Sequence, residues 1–318
     1  MTQPLSESRH RTGEPSQGTS RRFDSERFAA GTLTRTVPTA LIAFDFDPLL
    51  HLGDGAVRWE TIGVAAAIFA ALVVGGLTVR SFGLRVDDLL FVVLGIVPGA
   101  VVGGRLGYVF LNPAWFGSDP GRIVDPGVGS LELTLAVVGG ALTGAIVAVL
   151  LDGQPGRWLH AATLPTLLAV AGGKLATILG GRGQGQPWDG DWATAYLGPG
   201  PWGSLAPQVP SHPSQVYEAL VTIAILVIVM GLLRIRALRR PDGRAFLIAI
   251  AAWALGRALV ATTWRDPVAS GPFRLEQVID LAVAAGAGIL LALLLVRQRR
   301  AWAAGPDDDG VTAEPRGR

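Results

Sequence analysis

The sequence contains no cysteine among its 318 residues. Disulfide bonds, cysteine-ligated zinc and a thiol nucleophile supplied by the protein itself are therefore excluded. Histidine is also scarce, with four in the chain, which argues against a catalytic zinc site. No phosphate-binding P-loop motif occurs, so the sequence gives no support for ATP-driven transport. We expect neither a metal ion nor an organic cofactor.

Charged residues make up 16% of the chain, against about a quarter in typical soluble domains. Half of the residues are hydrophobic, and they gather into apolar runs close to the roughly 20 residues that a membrane-spanning helix needs. We predict an all-α polytopic membrane protein with about seven transmembrane helices. A soluble all-helical protein is the alternative, but it would have almost no amphipathic surface. The predicted spans are 62–79, 89–111, 133–151, 159–181, 216–233, 245–263 and 278–296.

Two polar segments flank the predicted membrane domain, which covers residues 43–300. Residues 1–42 are rich in Ser, Thr, Arg, Gly and Pro, and they lack the apolar core of a signal peptide. We predict a disordered arm there, because such a composition buries too little apolar surface to fold. Residues 301–318 are predicted to form a disordered cytoplasmic tail for the same reason. No internal repeat is evident, which weakens the interpretation as an inverted-repeat transporter.

Arginines near the ends of the predicted spans are distributed unequally between the two sides of the membrane. The side richer in arginine is predicted to be cytoplasmic, so the amino terminus is expected outside and the carboxyl terminus inside. These basic residues are topology signals, and we expect no nucleic-acid partner. The richer side carries Arg80, Arg85, Arg157, Arg234, Arg236, Arg239, Arg240, Arg244, Arg297, Arg299 and Arg300, and the other carries Arg58, Arg122, Arg182, Arg265 and Arg274.

Residues 212–218 read HPSQVYE and form the most informative stretch of the chain. Pro213 fits the first turn of a helix, where its missing N–H group is no loss. Tyr217 and Glu218 would then lie just inside an apolar helix, at the water boundary of the membrane. An apolar helix has no structural need for this cluster of polar groups, so we expect it to serve a functional site.

Three cations lie inside the predicted spans: Arg105, Arg257 and Lys174, which is the only lysine in the sequence. A charged residue in a span costs about 2.5–3.5 kcal/mol on insertion scales, and it is a functional hypothesis by default. Each has glycine beside it, which leaves space for an anionic head group whose tails lie between helices. The alternatives are snorkelling of the cations, carboxylate pairing and tight helix packing by the glycines.

The loop at residues 182–211 is rich in glycine, proline and tryptophan, including Trp188, Trp192 and Trp202. Tryptophan favours the membrane interface. Two roles remain open for this loop: gripping an extended peptide over a lateral opening, or anchoring the protein at the interface.

From residue 44 to residue 296 the sequence resembles the prolipoprotein diacylglyceryl transferases of bacterial membranes. HPSQVYE at 212–218 is similar to that family's HPSQLYE segment, and GGRLGYV at 103–109 is similar to its GARLGYV segment. Gly185 falls where a further family signature continues. The resemblance implies a multi-pass protein of the bacterial cytoplasmic membrane. It also implies phosphatidylglycerol, prolipoprotein signal peptides and the lipid bilayer as partners.

The polar interior departs from the family pattern. Glu60 stands where the family has a tyrosine, and Val138 where it has a histidine. Lys174 takes the place of an essential arginine, and Arg182 the place of a glutamate. Arg257 is kept, but the glutamate that follows it is lost.

The reaction implied by the resemblance moves a diacylglyceryl group from phosphatidylglycerol to a cysteine thiol, and glycerol phosphate leaves. It needs a thiolate, because the thiol is a weak nucleophile, and cations where charge develops on the leaving phosphate. Three residues remain candidates for the general base that forms the thiolate: Glu60, Glu218 and His212. We predict as catalytic residues Lys174, Arg257, Glu60 and His212, and as substrate-binding residues Arg105, Tyr108, Gly185, Ser214, Gln215, Tyr217 and Glu218.

Two alternatives to the transferase remain from the sequence. A non-catalytic or re-purposed member of the family would bind anionic lipid without transferring it. A small-solute transporter would need a polar path that links both faces of the membrane. For the transferase, we expect the cations to converge near the outer leaflet, with Arg105 and Arg257 on the same lipid phosphate.

Overall fold

The structure is a computed structural model that describes residues 41–125, 127–235, 238–268 and 271–303. The disordered arm and tail predicted for the two ends of the chain lie outside these residues, with two small exceptions. Residues 41 and 42 begin a strand, and residues 301–303 end the last helix.

Within the described residues, the chain folds into α-helices joined by loops and four short strands. All of these helices except α3 are long and apolar enough to cross a membrane. The prediction of an all-α membrane protein with seven spans is therefore confirmed. The helices are α1 (Trp59–Ser81), α2 (Val86–Leu111), α3 (Pro113–Gly117), α4 (Leu133–Asp152), α5 (Pro155–Gly180), α6 (Ser214–Leu232), α7 (Arg244–Val260) and α8 (Leu275–Ala303).

Several helices begin before the apolar runs from which the spans were predicted. Helix α5 begins at Pro155, because proline suits a first helical position. Helix α8 begins at Leu275, and the side chain of Gln277 accepts a hydrogen bond from the Arg274 N–H at 2.9 Å. This is one half of a capping box. Apolar runs mark the centre of a span, whereas the residues that cap it are polar.

Because the spans follow one another, their connections alternate between the two ends of the bundle. At one end, residues 82–85 join α1 to α2, residues 153–154 join α4 to α5, and residues 233–243 join α6 to α7. At the other, which we call the loop-rich end, residues 181–213 contact the end of α5 and the short segment that follows α7. The Gly203 N–H donates to the Gly180 carbonyl at 2.8 Å, and the Gln186 N–H donates to the Thr263 carbonyl at 2.8 Å.

The strands all lie at the loop-rich end. β1 (Leu41–Phe44) pairs in parallel with β4 (Ala193–Tyr196), which ties the first described residues to the long loop. β2 (Leu49–Leu52) and β3 (Gly55–Arg58) form a hairpin that leads directly into α1.

Helices α2 and α4 touch through their backbones along a row of glycines. A Cβ atom added at Gly99 would lie 2.4 Å from the Gly139 carbonyl oxygen, and one at Gly139 would lie 2.2 Å from the Gly99 carbonyl oxygen. A Cβ atom at Gly103 would lie 2.2 Å from the Leu135 carbonyl oxygen. Backbone atoms cannot move aside as a flexible side chain can, so only glycine fits at these positions. Small residues bring membrane helices together in this way.

Helices α1 and α5 form a second close pair. A Cβ atom at Gly63 would lie 2.8 Å from the Cβ of Ala176, and one at Gly172 would lie 2.6 Å from the Cβ of Ala67. The many glycines of the spans therefore serve helix packing at these positions, which is one of the two roles considered from the sequence.

We predict that Gly139→Ala destabilises the protein, because its new methyl group would overlap the backbone of α2. Overpacking of this kind costs about 1–3 kcal/mol. Gly76→Ala in α1 is the matched control, since a Cβ there meets nothing within 4 Å, and alanine is the better helix former by up to about 1 kcal/mol. Thermal unfolding in detergent should show a lower melting temperature for Gly139→Ala alone. Equal melting temperatures would contradict the backbone contact.

Candidate active site

Arg257 of α7 lies at the centre of a buried cluster of charges. Its Nη1 atom is 2.9 Å from Asp280 Oδ1, 3.2 Å from Glu132 Oε1 and 2.7 Å from Thr134 Oγ1. The guanidinium also lies over the ring of Trp264, 4.7 Å from its centroid. Arg257 is 6% exposed and Asp280 is fully buried. Three helices and one loop therefore meet at a single cation.

Two partners of Arg257 are themselves fixed by other contacts. The Glu132 carboxylate caps α4, accepting hydrogen bonds from the N–H groups of Thr134 at 2.8 Å and Leu135 at 2.6 Å. A carboxylate at this position also complements the positive end of the helix dipole. The Thr134 hydroxyl donates to Asp280 Oδ1 at 2.5 Å. The arginine is thus held by groups that have little freedom to move.

Lys174 of α5 joins the cluster through Glu218 of α6. Glu218 Oε2 is 2.8 Å from Lys174 Nζ and 3.5 Å from Arg257 Nε. A single carboxylate oxygen therefore stands between the two cations. With every group ionised, two cations face three carboxylates, namely Glu132, Glu218 and Asp280.

Two cavities meet at Lys174. The polar cavity, of about 620 Å³, opens among loop segments at the loop-rich end, and its lining includes both cations of the cluster. The apolar cavity, of about 680 Å³, lies between α1, α2, α4 and α5. Lys174 lines both cavities. The polar cavity is lined by residues that include Tyr108, Glu132, Lys174, Leu205, Glu218, Arg257 and Glu276, and the apolar cavity by residues that include Ile68, Val92, Ile96, Ala136, Val137 and Gly140.

His212 lies in an aromatic cluster of the long loop and not in the lining described for either cavity. Its ring stacks on Trp188 with centroids 4.4 Å apart, and its Nδ1 atom is 3.5 Å from the Tyr217 hydroxyl. That hydroxyl accepts a hydrogen bond from Trp192 Nε1 at 2.6 Å. Burial lowers the pKa of His212 below its usual value, so the imidazole is neutral near pH 7. The structure does not bring His212 and Tyr217 to the cation pair.

The long loop is held against the helices by contacts of three predicted substrate-binding residues, Ser214, Gln215 and Gly185. The Ser214 hydroxyl is 2.6 Å from the Thr263 hydroxyl. The Gln215 amide donates to the Tyr196 hydroxyl at 2.8 Å, and burial raises the pKa of Tyr196 to about 12. A Cβ at Gly185 would lie 2.2 Å from Ser214 Oγ. Of the HPSQVYE segment, Glu218 alone contacts a cation of the cluster among the described residues.

Arg105 organises the segment between α2 and α4. Its guanidinium donates to the carbonyls of Ile123 at 2.7 Å, Val128 at 2.6 Å and Asp125 at 2.9 Å, and also to that of Arg122. It is not among the residues described as lining the polar cavity, whereas Tyr108 is. A phosphate shared by Arg105 and Arg257 gains no support from these contacts, and the role of Arg105 in lipid binding stays a prediction.

Glu60 pairs with Arg182 at the loop-rich end of the bundle, beside the apolar cavity. Glu60 Oε2 is 3.2 Å from Arg182 Nε, and both residues line that cavity. Both positions depart from the family pattern described above. In this chain the two departures are complementary, since one supplies the carboxylate and the other the cation.

Sequence reasoning missed three members of the cluster: Glu132, Thr134 and Asp280. The first two stand at the start of the third apolar run, and Asp280 lies inside the last one. A carboxylate within a span should have been treated as a functional candidate in the same way as the three cations were. Two of them, Glu132 and Asp280, place negative charge beside Arg257.

The described fold and site define a polytopic membrane protein with a cation pair in the lining of a polar cavity, one member of which also lines an apolar cavity. The family model for prolipoprotein diacylglyceryl transferase matches residues 48–293, and the chain belongs to this family. The resemblance stated from the sequence is confirmed.

Curated relatives match most of the chain. A protein of Rhodospirillum rubrum is 31% identical over 270 residues, which cover 79% of this chain and 88% of the relative. One of Geobacter sulfurreducens is 29% identical over 272 residues, which cover 80% of this chain and 96% of the relative. One of Clostridioides difficile is 23% identical over 244 residues, which cover 77% of this chain and 93% of the relative. All three are named phosphatidylglycerol–prolipoprotein diacylglyceryl transferase.

We predict that Arg257→Met destabilises the folded protein strongly, because it leaves buried carboxylates without their cation. Removing one partner from a buried ion pair costs about 3–5 kcal/mol. Arg122→Met is the matched control, since Arg122 pairs with Asp119 at the surface at 3.3 Å and such pairs contribute about 0–1 kcal/mol. Melting temperatures in detergent measure the difference. A similar change in both variants would mean that Arg257 does not hold the cluster together.

Proposed function

We propose that the protein transfers a diacylglyceryl group from phosphatidylglycerol to the cysteine thiol of a prolipoprotein signal peptide. The observation that carries this proposal is the position of Lys174, which borders both cavities and shares Glu218 with Arg257. An anionic head group beside the cations would have its acyl chains in the apolar cavity. The names of the relatives give the same substrates and the same transfer for those proteins.

Lipid binding at this site requires an exchange of anions. The cluster already holds more carboxylates than cations, so a phosphate cannot simply be added to it. We propose that the phosphate takes the place of Glu218 on Lys174. Arg257 stays in position, because Glu132, Thr134 and Asp280 still hold it. Lys174 binds the phosphate as a point charge, without the two-pronged grip of an arginine.

The transfer step then follows from the charges. The thiolate sulfur attacks the glyceryl carbon that carries the phosphate oxygen, a C–S bond forms, and the C–O bond breaks. The departing oxygen keeps the bonding electrons, and glycerol phosphate leaves. Lys174 and Arg257 stabilise the negative charge that builds up on this phosphate. Fixed positive groups in a site shielded from water are worth more than the same groups in bulk water.

We also propose an orientation, in which the loop-rich end faces outwards and the carboxyl terminus lies in the cytoplasm. The arginine asymmetry supports it. Because the chain has no cysteine, a thiol reagent can label only a cysteine that is introduced by substitution. Leu205→Cys, at a side chain that is 96% exposed, should react with a membrane-impermeant maleimide in intact cells. Arg300→Cys should react only after the membrane is permeabilised. The reverse labelling pattern would contradict the orientation.

Substitutions of Lys174 test whether the protein is an enzyme. Lys174→Met should lower thioether formation roughly 100- to 1,000-fold, which is the usual effect of losing one such electrostatic contact. Lys174→Arg should keep or raise the rate, since Gly173 beside it has open space and a guanidinium can grip two phosphate oxygens. The assay uses phosphatidylglycerol vesicles and a cysteine-containing signal peptide.

Both variants are compared with the wild type only when their melting temperatures agree with it, which separates loss of chemistry from loss of fold. A Lys174→Met protein with the wild-type rate would remove Lys174 from the mechanism. A folded wild type that binds phosphatidylglycerol but forms no thioether would refute the transferase and favour a lipid-binding member of the family.

A further inference from the structure

The proposed transfer needs a group that takes the proton from the thiol, and the carboxylates of the cluster are already occupied. Glu218 pairs with Lys174 at 2.8 Å. Glu132 caps a helix and contacts Arg257, and Asp280 is fully buried against the same arginine. A carboxylate that a cation stabilises in its charged form is a weak base.

The two other bases considered from the sequence lie away from the polar cavity. Glu60 pairs with Arg182 at 3.2 Å and lines the apolar cavity. His212 stacks on Trp188 and is not among the residues described as lining either cavity. Neither is placed to meet a thiol that approaches Lys174 and Arg257 through the polar cavity.

Glu276, in the first turn of α8, lines the polar cavity together with Lys174 and Arg257. Within the described part of the chain, its carboxylate has no ion-pair partner. It is half-buried, and the charged groups that act on it are Arg257, Glu132 and Asp266. A carboxylate at the start of a helix also complements the helix dipole, so a purely structural role must be distinguished from a chemical one.

The backbone around Glu276 is held firmly. The Gln277 side chain accepts from the Arg274 N–H at 2.9 Å and donates to the Ala258 carbonyl at 2.9 Å. The Arg274 guanidinium donates to the carbonyls of Trp264 at 3.0 Å and Asp266 at 2.8 Å. The first turn of α8 is therefore tied to the end of α7, the helix that carries Arg257, which fixes the position of Glu276 relative to the cation pair.

We propose that Glu276 is the general base of the transfer, an inference that rests on the proposed function. Its carboxylate accepts the proton of the cysteine S–H group as the sulfur attacks the glyceryl carbon. The C–S bond forms, the C–O bond to the phosphate breaks, and the phosphate leaves with the bonding electrons. The proton held by Glu276 then passes to the departing glycerol phosphate. Glu276 returns to its ionised form, and no further reactant is needed.

The test compares Glu276→Gln with Asp87→Asn, which removes an exposed carboxylate from the first turn of α2 at the other end of the bundle. Each protein is assayed with phosphatidylglycerol vesicles and two peptides, one with cysteine and one with selenocysteine at the same position. A selenol is already ionised at neutral pH and needs no base. With the cysteine peptide at pH 7, Glu276→Gln should lose about 100-fold in rate or more, as for other general bases, and Asp87→Asn should stay close to the wild type.

Two further results are expected from the base role and not from a structural one. The selenocysteine peptide should restore most of the rate of Glu276→Gln. The rate of that variant with the cysteine peptide should also rise towards the thiol pKa of about 8.5. The assignment would be overturned by a Glu276→Gln protein with the wild-type rate, or by one whose rate falls equally with both peptides. A wild type that is inactive with both peptides would overturn the proposed function, and this inference with it.

Discussion

The interaction on which the site depends is the sharing of one Glu218 oxygen by Lys174 and Arg257. Two cations on neighbouring helices would repel each other in a medium of low dielectric, and the carboxylate between them removes that repulsion. The same contact fixes how α5, α6 and α7 meet. It also means that the resting site already contains an anion. In the exchange proposed above, a phosphate would replace this internal counter-ion, so the free energy of binding would be the difference between two similar ion pairs.

The departures from the family pattern become intelligible as pairs. Glu60 and Arg182 each replace a different kind of side chain, and they contact each other. Arg257 has lost the glutamate that follows it in the family pattern, yet Glu132 and Asp280 neutralise it from α4 and α8. A buried charge left alone would be costly, so changes in such an interior must be matched. In the described interior, the charged residues at these positions each contact a group of opposite charge.

The seven spans could be predicted from the sequence because hydrophobic length is a local property. Lys174, Arg257 and Glu218, which contact one another, could be selected as candidates because they are charges in apolar surroundings. The pairing of these charges could not be predicted, since it depends on how helices distant in sequence rotate against one another. The HPSQVYE segment shows a second limit. Polar residues in an apolar helix signal that a partner exists, but not whether that partner is a ligand or the protein itself. For Ser214 and Gln215 it is the loop that covers the bundle.

The glycine contacts join four of the spans into two closely packed pairs of helices, α2 with α4 and α1 with α5. The apolar cavity lies between these pairs and is lined by all four helices. A helix pair whose backbones touch cannot part without losing these contacts, whereas the two pairs are separated by the apolar cavity over part of their length and pack together elsewhere. A two-tailed lipid that enters this cavity from the bilayer would therefore separate the two pairs from each other, and each pair would move as one unit.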